Sequence, residues 1–141
     1  MEKVNFYYRF EETYLDECKE LGIPSGNREL CNFYDLSEQF FKLKKAFDTA
    51  SKERVPIIVN MDPRISGFDE LEVFHFIKYK FLSRKVKINN FLLNLSTYRE
   101  DGKLEFYQYQ TSDFQEVYRF FENLILEEKL PDYSKWKYKC I

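Results

Sequence analysis

Proton transfer, nucleophilic attack and zinc binding draw on a short list of side chains, and this chain holds one histidine, His75, and three cysteines, Cys18, Cys31 and Cys140. His75 stands between Phe74 and Phe76, and no serine or cysteine occupies a nucleophile-elbow context. A Ser-His-Asp or Cys-His arrangement therefore has no second member to recruit. The residue reads instead as a histidine on the flank of a helix, packed beside aromatic rings. The cysteines form no Cys-x-x-Cys pair, and an odd number cannot all be bridged to one another, so reduced packing residues are expected.

Carboxylates alone can hold magnesium. Asp62 follows the apolar run Val55–Asn60, and a nuclease-like site there would need an acid-x-Lys strand beside it. Asp101-Gly102-Lys103 has that spelling but reads as a hairpin turn, and Glu127-Glu128-Lys129 falls at a helix end. Asp62 before Pro63 is more simply a turn residue. Gly22, Gly26, Gly67 and Gly102 stand alone, so no phosphate-cradling glycine loop is spelled out. The expectation is no catalytic residue, no metal site and no cofactor.

Two surfaces suggest binding instead. Lys80, Arg84, Lys85 and Lys87, with Lys78 and the rings of Phe76 and Tyr79 interleaved, could meet phosphates and bases. The competing reading is a solvated helix end whose cations suit the negative end of the helix dipole. The second surface is a sheet face. If Phe6, Tyr8, Phe10, Leu104 and Phe106 point inward, then Tyr7, Arg9, Glu105, Tyr107 and Tyr109 share the opposite face, beside Glu11 and Glu12. Tyrosine suits an interface because it buries a large rigid ring and keeps its hydroxyl bonded. The competing arrangement covers that face with a helix or with the Trp136 tail.

The elements that must position these residues follow from periodicity. Val4, Phe6, Tyr8 and Phe10 alternate as a strand from about Lys3 to Phe10, and a short helix from Glu11 to Leu21 is ended by Gly22. Asp35 and Glu38 have capping-box spacing before Leu36, Phe40, Leu43, Phe47 and Ala50, which predicts a helix over 36–52. Val55–Asn60 reads as a buried strand. Asp69 and Glu72 repeat the capping spacing before Leu71, Phe74, Ile77, Phe81 and Leu82, which predicts a helix over 69–82. Asp101-Gly102 joins strands over 87–98 and 103–110 as a hairpin. Ser112 and Gln115 open a helix over 113–128 that Pro131 stops. The order is β-α-α-β-α-β-β-α: one α+β domain over 1–141, with about four mostly antiparallel strands and helices packed on the sheet. Phe40, Phe47, Ile58, Phe74, Phe121 and Leu124 are the expected core.

Composition bounds the rest. Apolar residues make up 44% and aromatics 19% of 141 residues, with only four glycines and four prolines, which excludes low-complexity disorder. No apolar run approaches the roughly 20 residues that a spanning helix needs. The first ten residues lack the charged start and apolar middle of a secretory signal, so a soluble, cytoplasmic protein with no membrane association is expected. Nine acids and four bases fall in residues 1–40, seven and twelve in 41–100, and eight and six in 101–141. A bipolar surface of this kind suits docking on a partner. The Phe, Tyr, Lys and Asn richness resembles that of small proteins from AT-rich bacteria or their phages, where short chains without catalytic residues are often immunity proteins or inhibitors of host defence. The leading expectation is accordingly a non-catalytic protein-binding inhibitor, a monomer or small homo-oligomer, that neutralises a nuclease toxin (as an immunity protein or antitoxin) or a defence nuclease. The alternative is a nucleic-acid-associated protein using the Lys78–Lys87 surface, and the third reading is a small metal-dependent enzyme built on Asp62 and His75.

Overall fold

The computed structural model describes residues 3–10, 15–23, 28–29, 33–49, 56–80 and 83–141, with the backbone alone at 15, 17, 28–29, 43, 46–49, 79–80 and 83–87. The elements run β1 (Asn5–Phe10), α1 (Leu15–Leu21), β2 (Arg28–Glu29), α2 (Phe33–Thr49), β3 (Ile57–Ile65), β4 (Phe68–Lys80), β5 (Ser83–Tyr98), β6 (Leu104–Thr111), α3 (Phe114–Glu127) and β7 (Lys137–Cys140). The strands form one antiparallel seven-stranded sheet in the order β2-β1-β3-β4-β5-β6-β7. This overturns the expected four-stranded sheet and its order. The chain is richer in strand than its sequence suggested, and the largest single correction is β4, which replaces the helix expected over 69–82.

The alternation in β4 is plain once its partners are known. Leu71, Val73, His75 and Ile77 point to one side of the sheet, and Glu70, Glu72, Phe74, Phe76 and Lys78 to the other. Leu71, Phe74 and Ile77 also fall at helical spacing, because apolar residues occupy both faces. The turn in front decides between the two periods. Ser66 (φ 49°) and Gly67 (φ 85°) are both left-handed, the two-residue geometry whose twist matches paired strands, and Ile65 pairs with Phe68 across them. Asp69 and Glu72 serve the sheet rather than a helix start. Asp69 accepts from Arg64 Nε and from the Tyr98 backbone N–H, each at 2.7 Å, and Glu72 accepts from Asn94.

The helices keep closer to expectation. α1 stops at Gly22 (φ 69°), where the Ile23 N–H donates to the Cys18 carbonyl at 2.8 Å. α2 starts ahead of the expected cap, so Asp35 lies in its first turn. α3 is capped by Asp113, which accepts from the Gln115 N–H at 2.9 Å, one residue after the expected Ser112.

All three helices contribute to one apolar cluster on one side of the sheet, with Cys18 from α1, Leu36 and Phe40 from α2, and Val117, Phe121 and Leu124 from α3. Strand register brings Phe6, Tyr8, Val59, Leu71, Leu93 and Leu95 to the same side. The Phe40 and Phe121 ring centroids are 5.2 Å apart at the centre. Phe40, Ile58, Phe121 and Leu124 are buried as expected, although Ile58 points away from the helices. Phe74 is half-buried on that same far side, and the Phe47 side chain lies outside the described residues. Among the described residues no helix is long and apolar enough to cross a membrane.

Candidate functional site

The described helices lie on one side, and among the described residues no helix covers the sheet's other face. Tyr7 and Arg9 of β1, Asn60 of β3, Glu70 and Glu72 of β4, Asn94 and Tyr98 of β5, and Gln108 of β6 share it by register. Their side chains form ladders that run across the strands. Glu70 is 6% exposed, and its two carboxylate oxygens accept from Asn60 Nδ2 at 3.0 Å, Arg9 Nη2 at 3.4 Å and the Tyr98 hydroxyl at 3.2 Å. Arg9 Nε also donates to Asn60 Oδ1 at 3.3 Å. A buried carboxylate is tolerated here because every oxygen has a donor and a guanidinium stands beside it.

A second ladder spans four strands. Lys139 Nζ donates to Gln108 at 2.7 Å, Gln108 to Asn94 at 3.0 Å, and Asn94 to Glu72 at 3.1 Å. A third joins Gln110 to Asn90 at 3.2 Å. Between the ladders lie apolar side chains: Phe74 opposite Leu92, and the buried Ile58 and Phe106. Two grooves cross this face. One of about 480 Å³ is lined by Tyr7, Arg9, Asn60, Asp62, Arg64 and Tyr98 among others. Another, of about 270 Å³, lies over Glu70, Glu72, Asn94 and Ser96, and it shares Arg9 and Tyr98 with the first. Burial, followed by the Glu70 charge and hydrogen bond, pushes the Tyr98 hydroxyl above the usual tyrosine range, so it remains a proton donor.

The expected binding face is divided by the structure. Tyr7 and Arg9 lie on the uncovered face, while Glu105, Tyr107 and Tyr109 point to the helix side. β6 is thus in the opposite phase to the one its apolar residues suggested, with Leu104 and Phe106 on the uncovered face. Tyr107 and Tyr109 are held inward by the C-terminal tail. Tyr109 stacks on Trp136 at 5.2 Å and 11° and donates to Glu116 at 2.7 Å, and Tyr107 packs 4.8 Å from Tyr133. Three strands separate Tyr7 from Tyr107, so the two rings share no surface. Glu11 and Glu12 lie outside the described residues.

The residues that organise the face, Glu70, Asn94, Tyr98 and Gln108, were not singled out from sequence. Their signal was the alternate spacing of polar residues, with Asn94 and Ser96 set among Phe91, Leu92, Leu93 and Leu95 and with Gln108 and Gln110 in the next strand. His75 is 1% exposed on the helix side, with Nε2 3.0 Å from Asn89 Oδ1 and its ring 5.5 Å from Phe91. Asp62 is exposed on the uncovered face, so a sheet lies between it and His75. Of the basic set, Phe76 is half-buried and Lys78 is exposed on β4. Tyr79 pairs with Lys87 and Lys80 with Ser83 in the backbone, and Arg84 and Lys85 follow on β5, so a two-stranded ribbon stands where a helix was expected. The side chains of Tyr79, Lys80, Arg84, Lys85 and Lys87 lie outside the described residues. No family model matches the chain, and comparison with curated proteins and with solved structures gives no match.

Proposed function

We propose that the chain is a non-catalytic protein-binding inhibitor, of immunity or anti-defence type, that occupies its partner through the uncovered face of the sheet. The observation that carries this reading is the set of cross-strand ladders. Arg9, Asn60, Glu70 and Tyr98 are locked to one another before any partner arrives, beside half-exposed aromatic and aliphatic side chains. Such a surface loses little rotamer freedom on binding, and rings set among satisfied polar groups make good anchors. Glu70 already accepts from three donors, which suits positioning better than proton transfer. Outside residues 74–90 the chain carries 17 basic and 24 acidic residues, a balance of −7. That charge complements a basic partner, such as the nucleic-acid cleft of a nuclease toxin or defence nuclease in the cytoplasm.

The test is recovery of tagged protein from its native host, followed by size-exclusion chromatography with light scattering. The expected result is a stoichiometric complex with a basic protein. Tyr98→Ala combined with Leu92→Ser weakens it tenfold or more, and Leu126→Ser, at a position 61% exposed on α3, leaves it unchanged. A monomer alone in the extract, or equal loss from the Leu126 variant, contradicts the reading.

A further inference from the structure

The central hairpin is longer than the sheet that holds it. β3 pairs with β4 as far as Val73, and β6 pairs with β5 from Phe91 onward. Phe74 and His75 still pair with Leu92 and Phe91, and beyond them residues 76–80 and 83–90 pair only with each other among the described residues. Five residues of β4, 76–80, at about 3.3 Å each make a ribbon some 16 Å long. Residues 74–90 contain five cations, Lys78, Lys80, Arg84, Lys85 and Lys87, and no acid, whereas the rest of the chain has the balance of −7 given above. The uncovered side of the ribbon carries Phe76 and Lys78 in alternate positions, following Phe74 at its base, with Ile88, 40% exposed, across from Lys78. Lys78 Nζ stands 5.6 Å from the centre of the Phe76 ring.

We propose that this ribbon binds single-stranded nucleic acid, as an activity separate from the protein-binding reading of the sheet face. A cation beside a ring at alternate strand positions is the pairing a single strand needs: bases stack on the rings while phosphates meet the lysines. A duplex keeps its bases stacked on one another and offers no such platform. The acidic body repels phosphate, which confines contact to the ribbon and sets the number of neutralised phosphates at no more than five. For a single strand, five contacts give a log–log salt slope of about −3.5, a loss of roughly a hundredfold in affinity between 50 and 200 mM salt.

The experiment is fluorescence anisotropy of the full chain with labelled twelve-nucleotide oligo-dT and oligo-U, a twelve-base-pair duplex, and polyglutamate as competitor. Expected are binding of the single strands with the steep salt slope and a preference over the duplex of at least fivefold. Polyglutamate should compete poorly. Lys80→Gln/Arg84→Gln/Lys85→Gln abolishes binding and flattens the slope, and Phe76→Ala weakens binding roughly tenfold at an unchanged slope, with thermal unfolding of both variants compared to wild type. Because these positions are spared by the Tyr98 and Leu92 variants above, failure here and failure of the sheet-face reading are separable. Absence of binding at 50 mM salt, a triple variant that binds like wild type, or a duplex bound as tightly as the single strand overturns the proposal. Polyglutamate competing as well as oligo-dT also overturns it, and assigns the ribbon to an acidic protein instead.

Discussion

On the helix side of the sheet, Tyr8, Val59, Leu71 and Leu93 meet Phe40, Phe121 and Leu124 in a continuous apolar layer. On the other side the same four strands carry Arg9, Asn60 and Glu70, joined to one another across the strands, and Asn94, which donates to Glu72. Residues one apart in sequence therefore answer to different forces. The inner layer is held by removal of hydrocarbon from water, at about 25 cal/mol per Å². The outer layer is held by cross-strand pairs worth about 0.2–1 kcal/mol each. The difference teaches why one face can be given over to recognition: its side chains are ordered by one another, yet the fold depends on them less than on the inner layer.

Substitutions on the two faces should differ accordingly. The largest effect is expected from Phe121→Ala, which leaves a cavity beside Phe40 and costs about 3–5 kcal/mol by urea unfolding. A cost under 1 kcal/mol would mean that the helix layer is not the core. Next comes Arg9→Ala, which removes the cation beside the buried Glu70. Arg9 keeps 33% of its side-chain exposure, so water offsets part of the loss and about 1–2 kcal/mol is expected. Gln108→Ala breaks the four-strand ladder, and chemical unfolding should report about 0.5–1 kcal/mol.

The smallest effect lies at the rim. Tyr138 donates to Glu105 at 2.6 Å, and that bond, ahead of burial and the Glu105 charge, pushes its hydroxyl up to about 12. The neutral form is the one favoured by folding. Its contribution is therefore complete below the ordinary tyrosine range, near pH 10, and is lost as pH rises through about 12. Ultraviolet difference titration should show that one of the late-ionising tyrosines returns toward the ordinary range in Glu105→Gln. An unchanged titration would remove Glu105 as the cause.

Much of the helical part of this arrangement was legible. α2 and α3 announce themselves by apolar residues at helical spacing, and the β5–β6 hairpin by Asp101-Gly102, where Gly102 adopts φ 84°. The phase of β1 was also readable, since Phe6, Tyr8 and Phe10 go inward together. β4 was not, because its far face carries Phe74 and Phe76, and apolar residues on both sides of a strand imitate a helix. Ser66-Gly67 between Ile65 and Phe68 was the sequence signal that favoured a strand. β6 was misphased for a related reason. Tyr107 and Tyr109 look like surface residues, but Trp136, Tyr133 and Glu116 supply the ring contacts and acceptor that let them turn inward, and the two rings come from the C-terminal tail, distant in sequence. The uncovered face was half seen, through Tyr7 and Arg9. Its organising acid, Glu70, becomes visible only when register places Asn60, Arg9 and Tyr98 around it.

The central claim, that the ladder-bearing face is the one that meets a partner, is tested most directly by hydroxyl-radical footprinting of the free protein and of its complex, read by mass spectrometry. Tyr7, Leu92 and Tyr98 should lose reactivity in the complex, while Leu126 and Tyr138, 61% and 50% exposed on the helix side, stay unchanged. Protection of Leu126 and Tyr138, with Tyr7 and Tyr98 as reactive as in the free protein, would contradict the account.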